Sequence, residues 1–123
     1  MINGSAVLMN ATTINPGESR FTALPYSLEN FIKLAITVEG YYNMSKTWES
    51  LGLRAKIFTS PDGSNWDSTP YAEFNAPSNA SRYVRATASI IPDPGYLRCE
   101  VINQNTNETV YDCRVIITYA KSE

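Results

Sequence analysis

The stretch Leu51-Gly52-Leu53-Arg54-Ala55-Lys56-Ile57-Phe58-Thr59, followed by Ser60-Pro61-Asp62-Gly63-Ser64-Asn65-Trp66, decides the fold class of this 123-residue chain. Its odd positions Leu51, Leu53, Ala55 and Ile57 form one apolar face, with Arg54 and Lys56 on the other. That period of two marks a half-buried strand. The strand then meets Pro61-Asp62-Gly63, where proline presets one backbone angle and glycine admits a left-handed one, so the chain turns.

The same alternation recurs on either side. Over 31–38 it places Ile32, Leu34, Ile36 and Val38 inward against Lys33 and Thr37; over 82–91, Val84, Ala86, Ala88 and Ile90 inward against Arg85, Thr87 and Ser89. Over 110–120 it puts Tyr111, Cys113, Val115, Ile117 and Tyr119 on one face. Shorter strands are expected over 5–9, 20–23, 71–74 and 97–103, and a short helix fits 43–51. Turn chemistry separates them at Asn15-Pro16-Gly17, Glu39-Gly40, Ala76-Pro77-Ser78-Asn79, Pro92-Asp93-Pro94-Gly95 and across 103–109. The expected fold is all-β, a single antiparallel β-sandwich domain over residues 1–123, jelly-roll-like, with about eight strands.

Composition narrows the partners. The 10 basic and 12 acidic residues leave a formal charge of -2 and form no blocks, so no field gathers nucleic acid or an anionic membrane. No apolar run approaches the roughly 20 residues needed to span a bilayer. The first ten residues lack the basic and long apolar regions of an export signal. A soluble chain without nucleic-acid or membrane partners is expected.

Reaction chemistry is sparse. The chain has no histidine, which removes Ser-His-Asp and Cys-His arrangements and the commonest general base. Asp62, Asp67 and Glu73, like Glu100 and Asp112, read more simply as turn-formers or solvated strand residues than as an acid/base pair. The run Asp62-Gly63-Ser64-Asn65-Trp66-Asp67 lacks the carboxylate density of a calcium loop. No catalytic residue, metal site or cofactor is expected.

Cys99 and Cys113 flank the asparagine-rich 103–109 loop and are the candidate disulfide pair. A hairpin centred on Thr106 sets them opposite each other on the inward face, with Leu97 against Val115 and Val101 against Tyr111, at a Cα separation of about 4.5–5.5 Å that a bridge tolerates. The alternative is a pair of reduced core thiols. The aromatics Tyr41, Tyr42, Trp48, Trp66 and Tyr71 lie in or near the expected loops, where flat rings could stack on a sugar. Asn3, Asn10, Asn43, Asn79 and Asn107 begin Asn-x-Ser/Thr triplets and are candidate N-glycosylation acceptors; the plainer reading is a set of polar loops.

One resemblance extends across about 31–120. The order of alternating strand, Ser60-Pro61-Asp62-Gly63-Ser64-Asn65-Trp66, Phe74, Arg82-Tyr83-Val84-Arg85-Ala86-Thr87-Ala88 and a last strand ending near Tyr119 resembles small β-sandwich structural proteins of the virions of tailed phages and related viruses. In that group the turn joins two core strands and the Arg-Tyr-Val-Arg strand crosses the middle of a sheet. The resemblance implies a non-enzymatic capsid decoration protein on the virion surface, with capsid or other virion proteins as partners and homo-oligomers, trimers among them, as the working form. The cysteine pair and the long 103–109 loop depart from that pattern. A carbohydrate-binding module using the loop aromatics is the alternative. The motif is also similar to the Asp-box of sialidase-type propellers, but its Gly-to-Trp spacing is one residue short and there is one copy, which argues against a propeller.

Overall fold

In the computed structural model, which describes residues 1–42, 52–77, 82–92 and 95–122, the alternation of the deciding stretch is realised directly: Leu53, Ala55 and Ile57 are buried while Arg54 and Lys56 turn outward. Nine strands are present among the described residues: β1 (Ile2–Ile14), β2 (Ser19–Phe21), β3 (Tyr26–Ser27), β4 (Phe31–Tyr42), β5 (Leu53–Ser60), β6 (Ala72–Ala76), β7 (Tyr83–Ile90), β8 (Tyr96–Asn103) and β9 (Val110–Lys121). The expected helix over 43–51 lies outside the described residues, and so does Leu51.

The strands form two antiparallel sheets, ordered β1-β9-β4-β7 and β2-β8-β5-β6, with β3 also paired to β8. First pairs with last: β1 with β9, β2 and β3 with β8, β4 with β7, and β5 with β6. This is a long hairpin rolled on itself, the double Greek key of a jelly roll. The ninth strand arises because one position is broken. β2 and β3 both lie along β8, and Pro25, which has no N–H to give to a ladder, interrupts them. At the other end of the chain, Ile2 pairs with Lys121. Ile36, Val38, Val84, Val115 and Ile117 of one sheet face Leu53, Ile57, Leu97 and Val101 of the other in a single core.

Several expectations are corrected. β8 and β9 are not a hairpin, because they belong to different sheets. The linking segment bridges the sandwich because its own side chains satisfy its backbone. Asn103 Nδ2 donates to the carbonyls of Ile14 and Glu108, its Oδ1 accepts the Asn105 N–H, and Asn105 Oδ1 accepts those of Asn107 and Glu108. Both cysteines do point inward, but Cys99 pairs in register with Ile57 and Cys113 with Ala11, and both thiols are free and buried.

The Arg-Tyr-Val-Arg strand is an edge: β7 ends its sheet rather than crossing the middle. Ile32 is exposed at 51% because the β4–β9 register shifts between Phe31 and Lys33, which carries Phe31 against the core instead. Tyr111 is likewise outside and Val110 inside. Between Glu39↔Arg114 and Tyr41↔Tyr111, β4 advances two residues and β9 three, and Asp112 takes a positive φ of 50°. One extra residue on one strand is a β-bulge, and it reverses which side chains face out beyond it.

Candidate functional site

The bulge assembles a row. Tyr41 pairs across the ladder with Tyr83 on one side and Tyr111 on the other, and all three rings stand on the outer face of the four-stranded sheet, 38%, 49% and 39% exposed. In the next row, Glu39 sits between Arg85 and Arg114, with Asn10 beyond Arg114. Together these residues shape a cleft of about 430 Å³ lined by Asn10, Glu39, Tyr41, Tyr83, Asp112 and Arg114.

Glu39 is the anchor of this cleft. Its carboxylate is buried, accepts the Tyr83 hydroxyl at 2.8 Å and Arg114 Nε at 2.8 Å, pairs also with Arg114 Nη2, and lies 3.5 Å from Arg85 Nε. Burial alone would raise its carboxyl, but the Tyr83 hydroxyl and Arg114, followed by Arg85, outweigh it and hold the group below its ordinary value. The Tyr83 hydroxyl is pushed up, first by burial and then by the bond to Glu39.

A second hollow lies toward the opposite end of the same sheet. Ala35 pairs with Ser89 and with Thr118, and these short side chains leave a groove of about 350 Å³ between them, with Asn3 and Lys33 at its margin. Val7 and Ile32 are exposed on the same sheet.

The aromatics read from the sequence do not converge. Tyr41 is on the sheet face. Tyr42, its neighbour, is fully buried, donates from its hydroxyl to Asn103 Oδ1 at 2.6 Å, and is pushed well above the ordinary tyrosine value by burial. The two separate because Glu39-Gly40 is not a turn. β4 runs through it, and Gly40 is needed for close packing, since a Cβ there would come within 2.5 Å of Val110 Cγ2. Trp66 leans over the other sheet, with the Arg98 guanidinium 4.7 Å from its ring and 4.6 Å from that of Phe21. Tyr71 is exposed just before β6, and Trp48 lies outside the described residues.

Asn3, Asn10 and Asn107 are exposed, while Asn43 and Asn79 lie outside the described residues. Burial raises both thiols to about 12, helped at Cys99 by Cys113 and then Glu100, and at Cys113 by Glu39. The Ser60–Trp66 segment is a turn knotted by Asp62, whose Oδ1 accepts the Ser64 and Asn65 N–H groups at 2.8 Å; these bonds hold its carboxyl far below the usual range.

No family model matches the chain, and no curated protein matches it in sequence. Its fold is similar to that in the crystal structure of the infectious bursal disease virus VP2 subviral particle, with a TM-score of 0.57 at 10% identity over 98% of this chain. The chain spans 32% of that protein's length. A CBM35 module from Paenibacillus barcinonensis is matched at a TM-score of 0.40 and 12% identity, over 97% of this chain and 99% of that one. At such identities the VP2 likeness shows the β-sandwich fold alone.

Proposed function

We propose that this domain is a non-enzymatic structural virion protein that decorates a capsid, docking on the lattice through the outer face of its four-stranded sheet and associating with copies of itself. One observation carries the reading: the groove between Ala35, Ser89 and Thr118, with Lys33 at its margin, continues into an uncharged row in which Val7 pairs with Ile116 and Thr37 with Ile116 and Thr87. A flat, weakly charged sheet face is the kind of surface that partners cover. The jelly roll matched over nearly the whole chain in a viral capsid protein is consistent with it. The absence of histidine from the sequence weighs against general-base chemistry.

Sedimentation of the purified chain with particles of its virus tests the reading. Ala35→Arg, which fills the groove with a charge, is expected to leave the particle fraction, and Lys56→Glu on the opposite face to remain. A wild-type chain that never co-sediments overturns the proposal, as does release by Lys56→Glu alone. A second reading, carbohydrate binding, is favoured by the row of exposed tyrosines.

A further inference from the structure

We propose that the cleft beside Tyr111, Tyr41 and Tyr83 binds a neutral, unbranched oligosaccharide laid across the strands, a site separate from the groove assigned to docking and resting on the carbohydrate reading. Three adjacent strands each contribute one ring to a single row, which spans two interstrand gaps, about 10 Å. A row of that length offers flat apolar surface to a run of sugar rings rather than to a single one. Tyrosine suits it because its ring stacks while its hydroxyl keeps a polar partner, as Tyr83 does in Glu39.

The polar groups beside the row match hydroxyls. Arg114 spends Nε and one Nη2 hydrogen on Glu39, so about three of a guanidinium's five N–H donors face elsewhere. Its side chain is 45% exposed. Asn10 and Asp112 add an amide and a carboxylate at the rim. The ligand is neutral because the site is: Glu39 and Asp112 balance Arg85 and Arg114. A phosphate or sulfate chain gains nothing from such a balance.

The backbone supplies an independent pointer. Asp112 is held in the left-handed region, a conformation that costs a non-glycine residue free energy and clusters at ligand sites. Its consequence is specific, since without the bulge Tyr111 shares the inward parity of Cys113 and the row loses its third ring. Apolar packing gains little from putting a tyrosine outside. A ligand that stacks on it gains directly.

The test uses protein made in bacteria, so that no glycan occupies Asn10, against an array of neutral cello-, xylo-, manno- and galacto-oligosaccharides, with titration calorimetry on whichever is retained. Tyr41→Ala and Tyr111→Ala are each expected to weaken binding about tenfold or more, with unchanged thermal unfolding, while Trp66→Ala leaves it unaltered. Tyr41→Phe, which keeps the ring, is expected to retain most of the affinity and guards against a folding artefact. No retained oligosaccharide at millimolar concentration overturns this site and the carbohydrate reading together. Binding lost on Trp66→Ala but kept in Tyr41→Ala overturns the site alone. Preference for sulfated or sialylated glycans overturns the neutral assignment. Sedimentation with particles is expected to be the same for Tyr41→Ala and wild type, whichever way the array reads.

Discussion

The two outer faces of the sandwich share a backbone geometry and differ in chemistry. Over the five-stranded sheet, Arg54, Lys56, Glu73, Arg98 and Glu100 project outward, Arg54 pairs with Glu73 at 2.7 Å, and Arg98 is held between the rings of Phe21 and Trp66. That face carries mixed charge along its strands and is partly open to water. Over the four-stranded sheet, the described charges of the central rows gather at Glu39, Arg85 and Arg114, leaving tyrosines at one end and short side chains at the other. Side chains inward of both faces are equally buried, so folding alone does not demand the difference. Singly exposed apolar side chains are ordinary on a protein surface, whereas a contiguous row of them, such as the three tyrosines, is the kind of surface that partners cover.

The largest effect should come from the shared core, which sets the scale for both faces. Ile117→Ala, at a position with no exposure, is expected to destabilise by about 2–5 kcal/mol in urea unfolding. A loss comparable to a surface change would show that the four-stranded sheet is not packed as described. Next is Glu39→Gln, which leaves Arg114 and Arg85 without a buried counter-charge and is expected to cost about 1–3 kcal/mol. Its counterpart Glu73→Gln breaks an exposed pair and should cost less than about 1 kcal/mol. Equal values would erase the contrast between the faces.

Acid titration sharpens the same comparison. A carboxyl whose folded value lies below its ordinary 4.5 adds stability that is present above that value and lost as pH falls through the lower, folded one. The stability gap between wild type and Glu39→Gln should therefore be full near about pH 6 and shrink toward about pH 3. A gap independent of pH would mean that Glu39 gains nothing from its arginines. The smallest effect is Lys56→Ala, expected within about 0.5 kcal/mol of wild type.

Much of this architecture was legible in the sequence, for reasons that also explain what was hidden. Period two placed Leu53, Ala55, Ile57, Val84, Ile90, Cys113, Val115 and Ile117 inward, because a sheet with one buried face tolerates no slip. What failed was sequence adjacency as a guide to pairing. β8 and β9 are neighbours in the chain, but Asn103 and Asn105 bind the link internally and send it to the other sheet. The tyrosine row was hidden for two local reasons. Gly40 looks like a turn when it is a packing requirement, which placed Tyr41 and Tyr42 together in a loop. Asp112 carries no mark of its left-handed backbone in sequence, since aspartate adopts it only when its surroundings require it. The cluster of Tyr83, Arg114 and Glu39 was hidden because strand residues that alternate outward look solvated, and Glu39 looks like part of a turn, until neighbouring strands bring them alongside one another.

The pairing of Ile2 with Lys121 has a practical side. Chain entering the fold at one strand leaves beside it on the next, about 5 Å away, so the sandwich behaves as a cassette with its plug and socket at one corner. A linker of a few residues could close the backbone into a ring, and the same corner would let the unit be spliced into a surface loop of a larger polypeptide without stretching the host.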